Sequence, residues 1–271
     1  MASAAPSHSA PPPAVSLRGA VALSGRFPLL AGVDLDVARG EVALVEGPNG
    51  AGKTSLLRVC AGLVPVVAGE VSVLGLDPVR KRTALRRRVG LLAHGSHLYD
   101  DLTVRENVRF AVRAAGGDTG RIPAACERLG LTSRLLATPA AKLSAGQRRR
   151  VALAVLVARS PELWLLDEPH AGLDASARAL VYDLVAEASS IGATVVVASH
   201  EPELTEALAD RAVLVAGGRI VSERPCGRHA RPVPATEATD ATEATDGAGA
   251  LPPCPPAGAT GGTDEVVVHV A

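Results

Sequence analysis

Apolar and polar positions change period repeatedly along the chain, and the changes mark an alternation of strands and helices. Residues 1–14 are rich in Ala, Ser and Pro and read as a disordered leader. Two short β-like runs, Val15 to Leu23 and Val33 to Ala38, then flank a loop containing Phe27. In the second run Asp34 and Asp36 alternate with Val33, Leu35 and Val37, the period-two pattern of a half-buried strand. Glu41 to Val45 is a further strand, followed by a helical run from Ser55 to Leu63 and a short strand from Glu70 to Leu74. Arg80-Lys81-Arg82 and Arg86-Arg87-Arg88 read as a solvated helix face leading into the apolar strand Val89 to Ala93. Thr103 to Ala115 is a helix opened by a capping box, Thr103 with Glu106, and Pro123 to Gly130 is another.

After Ser144 a strong helical pattern runs to Ala158, and Leu163 to Leu166 is the continuous apolar run of a strand buried on both faces. A helix (Ala175 to Ala188), a strand (Thr194 to Ala198), a helix (Pro202 to Ala209) and a strand pair (Ala212 to Ala216, Arg219 to Val221) follow. This order predicts an α/β domain over 15–222 with a largely parallel sheet covered by helices. Beyond Glu223 the twice-repeated A-T-E-A-T-D of Ala235 to Asp246 and the Pro/Gly-rich sequence after it read as a disordered tail over 223–271.

Between the strand ending at Val45 and the helix after it lies Gly47-Pro48-Asn49-Gly50-Ala51-Gly52-Lys53-Thr54-Ser55, which fits the P-loop pattern G-x-x-x-x-G-K-[ST]. Glycines let successive backbone N–H groups turn inward on a phosphate, and the following helix presents its positive dipole end. Lys53 is placed to reach the β- and γ-phosphates and the Thr54 hydroxyl to join a Mg²⁺ shell. This stretch predicts nucleoside triphosphate binding. Downstream, Leu163-Trp164-Leu165-Leu166-Asp167-Glu168 is a buried strand ending in two carboxylates. Asp167 is placed to serve the Mg²⁺ and Glu168 to polarise an attacking water as general base.

Composition narrows the partners. The 271 residues carry no formal net charge, which argues against nucleic acid, as does the lack of aromatics among the basic residues. The four cysteines (Cys60, Cys126, Cys226, Cys254) lack metal spacing, so a reducing, cytosolic compartment is expected, with Cys60 as a small buried hydrophobe. No signal pattern and no apolar run of about 18 residues is present, so the chain is not expected to cross a membrane by itself.

Leu143-Ser144-Ala145-Gly146-Gln147, at the start of a predicted helix, resembles the L-S-G-G-Q signature of the ATP-binding cassette (ABC) family, with Ala145 at the third position. Ala171-Gly172-Leu173-Asp174 is similar to that family's D-loop, and His200 to its switch histidine. All occur in family order, and the resemblance covers about residues 15–222. It implies an ABC-type P-loop NTPase with a mostly parallel core sheet, an antiparallel β subdomain and a helical subdomain over about 95–160. It also implies ATP and Mg²⁺, transport-coupled hydrolysis, and a homodimer in which each signature grips the γ-phosphate on the other subunit's P-loop. Asp174 then crosses the dimer interface, and His200 contacts the γ-phosphate and orients the water.

Two positions depart from the family pattern. His94 replaces the Q-loop glutamine expected after Val89 to Ala93, and Ser24 takes the place of the adenine-stacking aromatic, with Phe27 as a substitute. His94 and L-S-A-G-Q-R-R-R-V-A-L-A (Leu143 to Ala154) most resemble the CcmA-type subunit of the cytochrome c maturation heme exporter. That resemblance implies an integral CcmB-like permease and a peripheral place on the cytoplasmic face of the membrane. Another ABC exporter, for a drug or polysaccharide, and a weakly hydrolysing regulatory module remain as alternatives.

Overall fold

The computed structural model describes residues 11–95, 97–200 and 206–227. Strands β1 (Val15–Ser24), β2 (Phe27–Val37) and β3 (Val42–Glu46) lead to helix α1 (Lys53–Cys60), then β4 (Val66–Val73), α2 (Arg82–Arg88) and β5 (Val89–Leu92). Helices α3 (Val104–Ala114), α4 (Ile122–Arg128), α5 (Ser133–Leu136) and α6 (Ala145–Arg159) come next. The chain closes with β6 (Leu163–Asp167), α7 (Ala175–Ser190), β7 (Thr194–Ala198), β8 (Arg211–Ala216) and β9 (Arg219–Pro225).

Two sheets form. An antiparallel one has the order β2-β1-β4, and a six-stranded one the order β5-β6-β7-β3-β8-β9, parallel except for the β8–β9 hairpin. The central strands are apolar throughout because both faces are covered: all five residues of β6 and of β7 are buried. Trp164, Leu166, Val195 and Val197 face a core shared with α3, α4, α6 and α7. Leu163, Leu165, Val196 and Ala198 face a second core shared with α1 and the antiparallel sheet. This is the alternation a pleated strand imposes.

The register decides where chemistry can gather. Val45 pairs with Ala198, Asp167 also pairs with Ala198, and Leu92 pairs with Leu166. The carboxyl ends of β3, β5, β6 and β7 therefore lie in one row, the edge at which open α/β sheets carry their ligands. The P-loop, His94, Glu168 and His200 each follow one of those ends.

Most expected elements form within a few residues of their predicted bounds. The Thr103 capping box is present with both bonds, Thr103 Oγ1 accepting from the Glu106 N–H and the Glu106 carboxylate from the Thr103 N–H. One expectation is corrected. Phe27 is not in a loop: it opens β2 and pairs with Ser24, leaving Gly25 and Arg26 as a two-residue turn. Gly25, at φ +57°, makes so tight a turn possible, and no apolar alternation signals it. β9 also runs to Pro225 rather than Val221, because its backbone pairs with the whole length of β8. The helix expected at Pro202 to Ala209 falls largely outside the described residues, and the repeat tail wholly so.

Candidate active site

The P-loop is shaped by glycines in conformations that side chains resist. Gly47, Gly50 and Gly52 all have positive φ, and Gly52 caps α1 at φ 111°. A Cβ on Gly52 would meet the Leu29 carbonyl at 2.9 Å, so the loop lies directly against β2. Phe27, two residues before Leu29, sits at the hairpin tip with 78% of its surface exposed. Lys53 is buried, and its Nζ donates to the carbonyls of Gly47 (2.7 Å) and Pro48 (3.2 Å), curling the ammonium over the loop. Pro48, Asn49, Ala51 and Ser55 complete the stretch, with the Ala51 N–H closing a turn onto the Pro48 carbonyl.

Asp167 at the end of β6 comes to the first turn of α1. Its two carboxylate oxygens accept from the Thr54 hydroxyl at 3.1 and 2.9 Å. Burial pushes the Asp167 carboxyl above its ordinary value; the Thr54 hydroxyl partly offsets that, while the neighbouring Glu168 carboxylate adds to it and Arg58 opposes it. A desolvated carboxylate beside a hydroxyl is a hard-oxygen pair in need of a cation. Among the described residues no group of three or more His, Cys, Asp and Glu side chains converges on a metal position. The Thr54–Asp167 pair fits Mg²⁺, which takes one or two protein oxygens and completes its shell with phosphate and water.

Glu168 adopts the left-handed backbone conformation, φ +46°, rare for a residue with a side chain. Its N–H donates to Ala198 O at 2.9 Å, and its carboxylate Oε2 lies 2.8 Å from His200 Nδ1. With Nδ1 as the donor to a carboxylate, the neutral ring offers only a lone pair at Nε2. Only the imidazolium donates from both nitrogens. His94 is exposed just past β5, within electrostatic reach of Asp167.

The signature stretch forms the start of α6. Ser144 caps the helix in a second capping box: its Oγ accepts from the Gln147 N–H, and Gln147 Oε1 accepts from the Ser144 N–H. Leu143 is buried beneath it, and Ala145 opens the helix. A Cβ on Gly146 would stand 3.3 Å from Gly172 O, so the signature and the 171–174 loop abut. Asp174 caps α7, accepting from the Ala177 N–H at 2.8 Å and from Ser176 Oγ, with Arg150 beside it.

The Ala177 N–H, then the Ser176 hydroxyl, hold the Asp174 carboxyl below its ordinary value. This group therefore contributes stability that is full above its unfolded pKa of 3.8 and is lost as pH falls through the depressed folded value. Asparagine caps about as well as aspartate but does not titrate. Asp174→Asn is expected to leave the urea midpoint at pH 7 nearly unchanged and to lessen its fall below pH ~4. An identical acid limb in the two proteins would remove Asp174 as a contributor.

Two functional-region residues escape sequence reasoning. Arg149 is 5% exposed, and its guanidinium donates to the carbonyls of Ala93, Asp167, Glu168 and Pro169. Burial lowers its pKa to about 10, so it stays charged at neutral pH. Asn107, 3% exposed, bonds Tyr99 twice and also the Leu102 and Thr103 carbonyls, fixing the far end of the loop that begins at His94. A signal for Arg149 exists in the spacing: it shares the i, i+4, i+7 stripe of Leu153 and Leu156, where a charge is out of place.

The family model described as ABC transporter matches residues 30–171, just over half of the chain. The chain belongs to the ABC transporter family. A putative ABC transporter ATP-binding protein of Streptomyces avermitilis is 39% identical over 82% of this chain and 40% of its own length. The daunorubicin resistance ATP-binding protein DrrA3 of Streptomyces coeruleorubidus is 39% identical over 78% of this chain and 67% of its own. The cytochrome c biogenesis ATP-binding export protein CcmA of Cupriavidus pinatubonensis is 40% identical over 65% and 78%.

Among solved structures, a dimeric ATP-binding cassette in a post-hydrolysis state with ADP and phosphate superimposes with a TM-score of 0.71 at 25% identity, covering 78% of this chain and 98% of that one. The ABC ATPase fold expected from the motifs is the fold observed. This ABC chain spans only 40% of the Streptomyces avermitilis relative's length. Among the described residues, no helix is long and apolar enough to cross a membrane.

Proposed function

We propose that this chain is the ATP-hydrolysing subunit of an ABC transporter, acting in pairs with an integral permease at the cytoplasmic face of the membrane. The carrying observation is the convergence, at one row of strand ends, of the Thr54–Asp167 pair, the Glu168–His200 pair and the P-loop. Lys53 and the loop N–H groups of Asn49, Gly50, Gly52, Lys53 and Thr54 bind the phosphates, and the exposed Phe27 ring takes the adenine face. Thr54 and Asp167 hold Mg²⁺, whose charge polarises the phosphate oxygens. Glu168 takes the proton of the attacking water, and His200, paired with Glu168 through Nδ1, contacts the γ-phosphate and orients the water. His94 borders the attacking water.

The second half of each site comes from a second copy of the chain. Ser144, Ala145, Gly146 and the start of α6 present N–H groups, a hydroxyl and a helix dipole to the γ-phosphate on the partner's P-loop, with Leu143 and Gln147 fixing that turn and Asp174 at the seam. ATP binds the closed pair better than the open one, and hydrolysis removes that preference. The permease changes state with the pair.

The finer reading is heme delivery or export for cytochrome c biogenesis, through a CcmB-like permease. His94, the L-S-A-G-Q stretch and the 40% identity to CcmA support it. The 39% identity to a daunorubicin resistance protein supports a drug exporter as the second reading. Tagged chain recovered from gently solubilised host membranes is expected to bring a CcmB-like permease and heme-handling proteins with it, and to hydrolyse ATP in a manner abolished by Lys53→Ala. A different permease overturns the heme reading alone. Absence of Lys53-dependent hydrolysis overturns the ATPase reading.

A further inference from the structure

Arg149 stands in an unusual electrostatic position. Its buried guanidinium meets four backbone carbonyls, with no carboxylate among its hydrogen-bond partners. It donates to Ala93 O at 2.5 Å and Asp167 O at 2.8 Å, to Glu168 O, and to Pro169 O at 3.4 Å. These carbonyls come from two separate strand ends, β5 and β6, and the guanidinium itself comes from a third element, just past the first turn of α6. Burying a charge is costly unless every donor is answered, so this arrangement holds only while all three elements keep their relative places.

The preceding residue extends the tie. Arg148 pairs with Asp100 at 2.5 Å, while the Ala141 N–H donates to Asp100 O and the Ala140 N–H to Leu102 O. Consecutive arginines thus fasten the start of α6 to both ends of the segment from Ala93 to Leu102, which carries His94. Glu168 gains most. Its left-handed backbone is unfavourable for a residue that carries a side chain. It is held from one side by its N–H to Ala198 O, and from the other by its carbonyl, which accepts from Arg149 and from the Ala171 N–H at 3.1 Å. Where its carboxylate points, 2.8 Å from His200, follows from where that peptide is held.

We propose that Arg149 is a positioning residue for ATP hydrolysis, setting Glu168 and the segment after Ala93 according to the placement of the signature helix. The inference rests on the reading of Glu168 as the base. Because the N-terminus of α6 is the part offered to the other copy's nucleotide, closure of the pair reaches Glu168 through this guanidinium, beside the backbone route in which Gly146 abuts the 171–174 loop and the Ala171 N–H donates to Glu168 O. A lysine cannot replace it: one ammonium does not span carbonyls on two strand ends, whereas the planar fork does.

The test is steady-state kinetics on the full chain with Arg149→Ala, Arg149→Lys and Arg149→Gln. Each variant is expected to keep its KM for ATP within about threefold and to lose kcat by about 10- to 100-fold, the scale of a small misplacement of a reacting group. Millimolar guanidinium is expected to restore part of the kcat of Arg149→Ala, and methylammonium none of it. A wild-type kcat in Arg149→Gln or Arg149→Lys overturns the proposal, as does a loss borne wholly by KM or a loss that guanidinium does not relieve. Should Arg149→Ala not fold, the KM and kcat of the other two decide.

If the wild-type chain itself proves unable to turn over ATP, the proposed function fails, and amide hydrogen exchange decides the tie independently. Arg149→Gln must then speed exchange at Glu168 and over Ala93 to Leu102 while leaving β8 and β9 unchanged. Unaltered exchange at Glu168 overturns the tie.

Discussion

Glu168→Gln is expected to lower ATP turnover by about 10²- to 10⁴-fold, the contribution of a positioned general base, while leaving ATP affinity within a few-fold of wild type. The substitution is nearly isosteric, and the amide oxygen still accepts from His200 Nδ1, 2.8 Å away in the parent. What it cannot do is take a proton from water. Binding and catalysis should therefore separate cleanly: the P-loop, Lys53, Thr54 and Asp167 are untouched.

A second consequence follows from the proposed composite site. Hydrolysis removes the γ-phosphate that bridges the two copies, so blocking it should hold the pair closed. Glu168→Gln with ATP is expected to elute as a dimer under conditions where wild type returns to monomer. Steady-state ATPase measurement with size-exclusion chromatography checks both. Turnover above a tenth of wild type would remove Glu168 as the base and move attention to His200 or His94.

The parts of the site written as contiguous motifs were legible because their chemistry is local. A P-loop needs its glycines, lysine and threonine within one turn between strand and helix, and Gly47 to Thr54 supplies them in order. The strand Leu163 to Asp167 was legible for a related reason: a parallel strand covered on both faces must be apolar along its length. The Thr103 helix start announced itself through a capping residue three positions from its partner.

What escaped has longer range. Arg149 looks like one of three arginines near the start of a solvated helix; its stripe with Leu153 and Leu156 hints that it is interior, but its partners emerge only from the packed positions of β5 and β6. Asn107 reads as an unremarkable polar residue in a helix until the loop after Tyr99 closes over it. The start of β2 at Phe27 depended on the torsion of Gly25, which leaves no trace in apolar periodicity. Glu168 and His200 were each singled out in the sequence, but their pairing was not, and the structure gives its physical basis. Both follow neighbouring parallel strands whose register pairs Asp167 with Ala198.

Gly47→Ala is expected to be the most damaging single methyl group in the P-loop. Gly47 has φ +142°, in a region that essentially only glycine occupies, and forcing alanine there costs about 1–3 kcal/mol. The added Cβ would also sit 2.2 Å from Val215 O and 3.2 Å from its carbonyl carbon. That neighbour is backbone in β8, fixed on one side by β3 and on the other by β9, so it cannot yield as a side-chain tip would. Overpacking of this kind adds roughly 1–3 kcal/mol, for a loss of about 2–6 kcal/mol against a native stability of about 5–15.

Gly217→Ala makes the comparison. Gly217 also has positive φ, 56°, but a Cβ there meets nothing within 4 Å, so only backbone strain of about 1–2 kcal/mol is expected. Urea unfolding of the two variants should place the Gly47→Ala midpoint well below that of Gly217→Ala. ATP binding by Gly47→Ala should be lost even at temperatures where it stays folded, because β8 and the loop can separate only by moving the N–H groups that face the phosphates. Equal midpoints would mean that the P-loop is free to shift against β8, and the loop would then owe its shape to the glycines alone.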